Sequence, residues 1–411
     1  MLIKRKVILA SPSAMHMLQK KRIKSRFLFI LKYKVITLKS VKYKNQKISN
    51  LEFKGFTEFD EILIYFENVV KNQNPNVCET VSSSNDLKQK IKNEINKIFN
   101  KYLFICNNFK VDRILLFHGY LPEDFVLRRI AKINSIPALC IERTMRKDRL
   151  VWDCTNHTTI GSRQFNLFSK KFKVNIDSNL INEFALNYIN NINKYKLGDH
   201  QSPVSNTKLE AGKLKILFLG QVFTDASIIK GTKYQIDPID LICKISEWCT
   251  SRDFISIVKF HPKEYNGSNP INADKYDSIS SIKFKERKNN YSICCKNLVI
   301  DEDNSFNTYD LIKQSDIVIT INSQSGVEAA LLNKNIFSVE DAFYANNGFG
   351  YVYKNFEDLS FKLDRLVNDN IKIKPQHEKN VREFFYLYYH EFCIKNKPIS
   401  ILKKLFSDEI I

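Results

Sequence analysis

The chain has 411 residues, of which 44% are hydrophobic, and a formal net charge of +20. A chain of this length exceeds the size at which a single core keeps growing, so we expect two domains. No apolar run approaches the ~20 residues of a membrane span, and the amino terminus lacks the pattern of a secretory signal peptide, so the sequence predicts a cytoplasmic protein. Nine irregularly spaced cysteines show no metal-ligand pattern and indicate reduced thiols.

The positive charge is concentrated at the amino terminus, where residues 1–50 contain fourteen Lys or Arg and no Asp or Glu. Such a segment is attracted to an anionic surface, either nucleic acid or the cytoplasmic leaflet of a membrane. The alternative is a lysine-rich composition with no partner. No zinc finger, RNP motif or basic heptad is present, which argues against nucleic acid. The mixture of cations and bulky apolar residues in KKRIKSRFLFILKYK favours peripheral docking at the inner face of the cytoplasmic membrane.

Strand-like and helix-like segments alternate through the first half of the chain. The segment KVILAS at 6–11 predicts a strand, AMHMLQKK at 14–21 a helix, and the 3.6-residue apolar period of 85–103 a long helix. Three further segments are read as strand, helix and strand: DRILLFHGY at 112–120, LPEDFVLRRIAKIN at 121–134 and IPALCIER at 136–143. That order predicts a parallel β-α-β unit, with Pro122 suited to the helix start.

A second alternating series follows the polar segment 198–212, GDHQSPVSNTKLEAG, which predicts an interdomain linker. Its strands are expected in KLKILFLG, ISIVKFHP, KNLVID, DIVITIN and NIFSV, and its helices in DPIDLICKISEWC, TYDLIKQS and SGVEAALLN. The predicted domains are therefore 1–197 and 213–375. Residues 376–411 are expected to form one long aromatic-rich helical segment that packs back across both domains.

The alternation predicts an α/β fold with parallel sheets, which bind ligands at the carboxyl ends of their strands. Three predicted loops lie at such ends. The first begins at Gly220 and places Gln221, Asp225 and Ser227 close together. The simplest interpretation is that Asp225 caps the next helix; the functional one is a carboxylate held at a binding site.

The second loop follows the strand ISIVK and contains His261 and Pro262 between Lys259 and Lys263. Pro262 ends the strand and restrains the backbone beside the imidazole. A histidine between two lysines can donate to an anionic oxygen, so His261 and Lys259 are candidate donor-binding residues. An ordinary surface loop is the alternative.

The third loop follows DIVITIN and leads into a helix through Ser323, Ser325 and Gly326. An ordinary helix cap explains the serines, whereas hydroxyls and free N–H groups at a helix start also suit a phosphate. Glu328, one turn inside the helix, is then a candidate for a ribose diol. Neither a Walker loop nor G-x-G-x-x-G is present.

The acidic run Asp301-Glu302-Asp303 is the sequence's nearest approach to a metal motif. It follows a predicted strand and precedes NSFNTYDLIKQ, so a solvated acidic turn is the better interpretation. The sequence therefore predicts neither a metal site nor a cofactor.

Taken together, GQVFTDAS, KFHPKE and SQSGVEAALLNKNIFSVEDAFYANNGF resemble, in order and spacing, the bacterial capsule-type β-Kdo glycosyltransferases. The resemblance extends over roughly 110–355. It implies a GT-B architecture of two Rossmann-like domains facing across a cleft, and metal-independent, retaining transfer of the keto-acid sugar Kdo from CMP-Kdo to a glycan or lipid-linked acceptor. The chain departs from the family at ANNGFG, where relatives carry a bulkier, Trp-containing segment.

The resemblance also implies roles for particular residues. Asp225 matches the nucleophile of a double displacement, and Gln221 and Ser227 orient it. A second carboxylate is needed to deprotonate the acceptor, and Glu142, at the end of IPALCIE, is the candidate. Arg143 and Arg146 follow it and are either anion-binding or plain surface arginines, while His118 is expected to be a packed histidine.

Two other functions remain open from the sequence. One is a CMP-sialic acid-dependent sialyltransferase or polysialyltransferase, which shares the His-Pro turn and the serine-rich loop. The other is a non-catalytic basic scaffold at the membrane that keeps only the fold. The segment QVFTDAS favours Kdo over sialic acid, and the presence of Asp225, His261 and Glu328 argues against a scaffold.

Overall fold

The computed structural model describes residues 6–19, 33–36, 85–119, 122–154, 163–171, 177–192, 209, 211–222, 225–229, 234, 236–264, 278–302 and 304–409. The basic segment proposed for membrane docking, Lys20 to Arg26 with Phe27 and Phe29, lies outside these residues. So do Asp303 and most of the predicted linker.

The elements in chain order are β1 (Lys6–Ala10), α1 (Pro12–Gln19), β2 (Tyr33–Ile36), α2 (Asn85–Asn108), β3 (Arg113–Phe117), α3 (Pro122–Ile133), β4 (Ala138–Arg143), β5 (Arg149–Asp153), α4 (Arg163–Lys171) and α5 (Ser178–Asn190). They continue with β6 (Lys215–Leu219), α6 (Ala226–Ile229), α7 (Pro238–Thr250), β7 (Ile255–Lys259), α8 (Ile279–Arg287), β8 (Leu298–Asp301), α9 (Thr308–Gln314), β9 (Ile317–Ile319), α10 (Ser325–Leu331) and β10 (Asn335–Val339). The last are β11 (Tyr351–Tyr353), α11 (Phe356–Asn368), α12 (His377–Tyr386), β12 (Ile394–Lys395) and α13 (Pro398–Leu405).

These elements form two compact units with one six-stranded sheet each. Among the described residues, those up to 171 and from 389 belong to the first unit, and those from 177 to 388 to the second. The α/β class predicted from the alternating pattern is confirmed.

The first unit has the sheet order β12-β5-β4-β3-β1-β2. Strands β2, β1, β3 and β4 are parallel, and β3-α3-β4 is the predicted β-α-β unit. Strand β5 departs from this parallel arrangement and runs antiparallel to β4. The connection between them is short, and the Thr144 hydroxyl closes it by donating to the backbone oxygen of Arg146 at 3.0 Å. A turn this short can only return the chain antiparallel to itself.

The second unit has the sheet order β11-β10-β9-β6-β7-β8, and all of its described pairings are parallel. Helices cover both faces of such a sheet, so its strands are continuous apolar runs rather than alternating ones. Strands β7, β9 and β10 are buried along their whole length. Helix α7 begins where Asp237 accepts hydrogen bonds from the backbone N–H groups of Ile239 and Asp240, a cap that contributes about 1 kcal/mol.

Helix α5 lies in the second unit, although the sequence reading extends the first domain to residue 197. Its buried Tyr188 donates a hydrogen bond to Glu328 at 2.7 Å, and its Asn182 accepts one from Arg382 at 2.9 Å. Both contacts span at least 140 residues of sequence, so local patterns cannot reveal them.

The carboxyl-terminal segment is aromatic and largely helical, but it is not one continuous helix. Helix α12 passes into a π-helix at Leu387–Phe392, and the chain then pairs with β5 through β12 before α13 begins. Pro398 starts α13 as its first residue and stops any earlier helix from running through it. The described helices include none long and apolar enough to span a membrane.

Candidate functional site

The candidate site lies at the carboxyl edge of the second sheet, between β6 and β9. The chain runs from β6 outward to β7 and β8, then returns to the other side of β6 for β9, β10 and β11. The connections therefore diverge between β6 and β9. In an open parallel sheet this topological switch point, at the carboxyl ends of the strands, is where ligands bind.

Four polar side chains meet at this point, and we call them the switch-point cluster: Gln221, Asp225, Ser227 and Asn322. Gln221 Nε2 donates to Ser227 Oγ at 3.0 Å, and Gln221 Oε1 accepts from the Asn322 backbone N–H at 3.1 Å. Asn322 Nδ2 donates to the Ser227 carbonyl at 2.7 Å, and its Oδ1 accepts from Ser227 Oγ at 3.3 Å. The loop after β6 is thus tied to the loop after β9 by three hydrogen bonds, and the fourth joins Gln221 to Ser227 within the first loop.

Asp225 lies at the start of α6, where both interpretations of its carboxylate apply. Its Oδ1 accepts from the backbone N–H of Ser227 at 2.8 Å, which is the predicted helix cap. The side chain is half-buried, and the hydrogen bonds described for it do not use Oδ2. The cap therefore fixes the orientation of the carboxylate through Oδ1.

Asn322 is the member of the cluster that sequence reasoning missed. It is 7% exposed and makes all three of the hydrogen bonds that join the two loops. The sequence signal was weak, because a single amide at the end of an apolar strand is common. Its partners lie 95 and 101 residues away.

The loop after β7 lies close against the loop after β6. The Gly220 N–H donates to the Lys259 carbonyl at 2.8 Å, and a Cβ at Gly220 would lie 3.1 Å from that oxygen and 3.3 Å from Phe260 Cα. Only glycine allows this approach without displacing backbone. The half-buried His261 and Pro262 follow directly, so the structure brings the predicted second loop beside the first.

Pro262 begins a 3-10 turn that is fixed by a buried carboxylate. Glu264 accepts hydrogen bonds from the hydroxyl of Ser280 at 3.0 Å and from its backbone N–H at 3.3 Å. This anchors the backbone next to His261.

The structure places Lys259 differently from the predicted donor-binding role. Its ammonium group is buried, forms an ion pair with the buried carboxylate of Asp301, and donates to Asn304 Oδ1 at 2.8 Å. Lys259 and Asp301 are register partners on β7 and β8. The pair accounts for both residues structurally, because each charge neutralises the other within the sheet edge.

The third predicted loop connects β9 to α10. The Ser323 hydroxyl accepts from the Ser325 backbone N–H at 3.3 Å, and the N-cap position is held by Gln324 without a side-chain hydrogen bond. Ser323 and Ser325 are half-buried. Packing explains why residue 326 is a glycine, because a Cβ there would lie 2.8 Å from the Tyr344 ring carbon Cζ.

Glu328 is buried and 2% exposed, rather than presented to a ligand as the ribose-binding prediction requires. Its Oε1 accepts hydrogen bonds from the hydroxyls of Tyr188 and Tyr309. Burial, followed by the nearby charge of Glu328, raises the pKa of Tyr309 well above its usual value. In this structure Glu328 joins α5, α9 and α10.

The candidates in the first unit lie around the turn between β4 and β5. Glu142 is half-buried near the carboxyl end of β4, opposite Val151 of β5. Arg146 is buried, not at the surface, and binds Asp148 through two contacts of 3.1 Å. His118 is half-buried, as expected for a packed histidine, and its φ of 33° lies in the left-handed region.

Asp124, which the sequence analysis did not select, is a buried carboxyl of the first unit with a strongly raised pKa. It lies on the first turn of α3 with 0% exposure, and its Oδ1 accepts from the Phe117 backbone N–H at 3.2 Å. Its buried Oδ2 has no hydrogen-bond partner among the described residues. Burial is the main cause that raises its pKa from 3.8 to about 7.

The part of the chain that the structure describes contains no group of three or more His, Cys, Asp or Glu side chains able to hold a metal ion. Asp301, from the acidic run, uses Oδ1 to accept from the Phe306 N–H at 3.2 Å and Oδ2 to pair with Lys259. This carboxylate is therefore committed to internal contacts.

The sequence model of a family described as "Capsule polysaccharide biosynthesis protein" matches residues 158–354. The match contains the switch-point cluster, the loop with His261 and the whole of the third loop. It confirms the predicted resemblance to capsule-type proteins. No curated protein sequence matches the chain.

Solved structures resemble the chain at low identity. The KpsC β-Kdo 2,4 transferase of Thermosulfurimonas dismutans is 18% identical, with a TM-score of 0.48, over 72% of this chain and 88% of that one. The KpsC β-Kdo 2,7 transferase of the same organism is 19% identical, with a TM-score of 0.45, over 77% and 94%. MnaA of S. aureus with UDP is 14% identical, with a TM-score of 0.38, over 92% and 91%. The fold assignment itself follows from the two sheet orders.

Proposed function

We propose that this protein, whose residues 158–354 match the capsule polysaccharide biosynthesis family, is a retaining glycosyltransferase that moves Kdo from CMP-Kdo to a glycan or lipid-linked glycan acceptor. The observation that carries the proposal is the position of Asp225. It is a half-buried carboxylate, oriented by a hydrogen bond to Oδ1, at the topological switch point of a parallel sheet. A fixed carboxylate at a ligand-binding edge is the group that a double displacement needs.

The proposed reaction has two steps. In the first, the Asp225 carboxylate attacks the anomeric carbon of Kdo, the bond from that carbon to the phosphate oxygen breaks, and CMP leaves with the electron pair. In the second, the acceptor hydroxyl oxygen attacks the same carbon, the ester bond to Asp225 breaks, and the hydroxyl proton passes to a general base. Two inversions give overall retention. Glu142 stays the sequence-predicted candidate for the base.

Recognition of the donor is assigned to the loops beside Asp225. His261 and Ser325 suit the phosphate of CMP, because an imidazolium and a hydroxyl both donate hydrogen bonds to anionic oxygens. Lys259 and Glu328 are occupied by buried partners, so we give them supporting roles in the loop framework. We propose no metal in the reaction, which the internal pairing of Asp301 supports.

Docking at an anionic membrane remains part of the proposal, because the fourteen cations within residues 1–50 are not balanced by any carboxylate there. Each cation near an anionic bilayer contributes about 1 kcal/mol, so a few engaged residues suffice. Cosedimentation with phosphatidylserine vesicles tests this proposal. Binding should fall steeply with salt and with Gln at Lys20, Lys21, Arg22, Lys24 and Arg26. A wild type that ignores such vesicles at low salt contradicts it.

The activity is tested by measuring CMP release from CMP-Kdo and, separately, from CMP-sialic acid, with a Kdo-containing lipid-linked oligosaccharide as acceptor. We expect release from CMP-Kdo and none above background from CMP-sialic acid. The opposite preference would establish a sialyltransferase. If the folded protein releases CMP from neither donor, the result would favour the non-catalytic scaffold.

A further inference from the structure

We propose that Asn322 is the positioning residue that holds the Asp225 loop in its reactive geometry, an inference that rests on the proposed function. None of the hydrogen bonds described for Asn322 joins it to Asp225, and in the proposal it does not touch the reacting atoms. It acts through Ser227, whose backbone N–H fixes one carboxylate oxygen of Asp225. Nothing in the family resemblance assigned Asn322 a role.

The geometry supports this role because Asn322 holds Ser227 at two points. Its Nδ2 donates to the Ser227 carbonyl at 2.7 Å, and its Oδ1 accepts from the Ser227 hydroxyl at 3.3 Å. A single amide therefore fixes both the backbone and the side chain of the residue that orients Asp225. Its own backbone N–H holds Gln221, which in turn donates to the Ser227 hydroxyl at 3.0 Å.

The position of Asn322 explains why the tie is needed. Helix α6 has only four residues, so its own backbone hydrogen bonds cannot hold the loop in one place. Strand β9 is buried along its length and its neighbours β6 and β10 pair with it on both sides. The amide therefore connects the central sheet directly to the short helix α6. Displacement of a reacting group by about 1 Å can cost roughly 100-fold in rate.

A purely structural asparagine in the same unit provides a matched control. Asn335 is 2% exposed, lies at the amino end of β10, and donates from Nδ2 to the Ile371 carbonyl at 3.2 Å. Parallel strands place that end at the opposite edge of the sheet from the switch point. Asn335→Ala should therefore lower stability without a specific effect on the reaction.

The test compares Asn322→Ala with Asn335→Ala in single-turnover CMP release from CMP-Kdo without acceptor. We expect Asn322→Ala to slow release roughly 10- to 100-fold while donor affinity changes by about twofold or less. In a cycle with Ser227→Ala, the two effects should be less than additive, because both changes remove the bond from Ser227 Oγ to Asn322 Oδ1, whereas only Asn322→Ala also removes the bond to the Ser227 carbonyl. Asn335→Ala should retain the wild-type rate once corrected for folded fraction.

Hydrogen exchange provides a readout that does not need activity. Peptides covering 221–229 should exchange faster in Asn322→Ala and remain unchanged in Asn335→Ala. Unchanged exchange, an unaffected release rate, or additive effects with Ser227→Ala would each overturn the inference. A folded wild type that releases no CMP refutes the proposed function instead, and exchange then decides separately whether Asn322 holds the loop.

Discussion

Replacing Asp124 with Asn should change how the stability of the protein depends on pH. The Asp124 carboxyl is fully buried at the first turn of α3, and only its Oδ1 has a hydrogen-bond partner among the described residues. Burial raises its pKa to about 7, while the Ser11 hydroxyl and the Phe117 N–H lower it and Glu123 raises it further. Asn has the same shape and cannot ionise, so the variant isolates the cost of charging this site.

The magnitude follows from the two pKa values. The folded state holds the proton up to about pH 7, whereas the unfolded chain releases it near 3.8. The protonated Asp124 carboxyl therefore contributes stability that is fully present below about pH 4 and is lost as the pH rises to about 7. Above about pH 7 its effect on the free energy of unfolding no longer changes. A difference of about three pH units, at about 1.4 kcal/mol each, corresponds to on the order of 4 kcal/mol.

The assay is urea unfolding of the wild type and Asp124→Asn at several pH values between 4 and 8. The free energy of unfolding of the wild type, relative to the variant, should fall by several kcal/mol over this range. Asp225→Asn is a matched control, because that carboxylate is half-buried and hydrogen-bonded. Parallel curves for the wild type and Asp124→Asn would refute the assignment of a buried, protonated carboxyl.

Three further predictions follow from the loops of the second unit. Lys259→Gln should lower the free energy of unfolding by about 3 kcal/mol, because it leaves Asp301 buried without its cation. Urea unfolding measures this change, and an unchanged free energy would contradict the pairing. Gly326→Ala should destabilise by about 1–3 kcal/mol, since its Cβ meets the Tyr344 ring, and Tyr344→Phe should recover part of the loss. His261→Ala should weaken CMP binding in calorimetry by about 1.5–3 kcal/mol, and wild-type affinity would remove His261 from the donor site.

Much of the fold could be predicted because buried parallel strands are visible as apolar runs. β6, β7 and β10 were read from five-residue apolar segments, and the helix between β3 and β4 from its proline start and apolar period. The sequence analysis did not predict β5 or β12. β12 has two residues and pairs only because distant β5 offers an edge, so no local pattern marks it.

The site could be predicted only as far as single loops. Sequence reasoning found Gln221, Asp225 and Ser227 because they follow one strand end within seven residues. It could not see that Asn322 completes the cluster. It also assigned Lys259 to a ligand, because Asp301, the partner that neutralises it, lies 42 residues later on the next strand. Charged residues at a sheet edge have the same pattern whether they meet a ligand or each other.

The central claim is that Asp225 forms a covalent bond with the donor sugar. The most direct measurement is mass spectrometry of the wild type and Asp225→Asn after incubation with CMP-Kdo in the absence of acceptor. The account predicts a Kdo adduct on the peptide containing Asp225, lost on addition of acceptor, and no adduct or transfer in a folded Asp225→Asn that still binds CMP. An adduct on another residue, or transfer by Asp225→Asn at the wild-type rate, would contradict it.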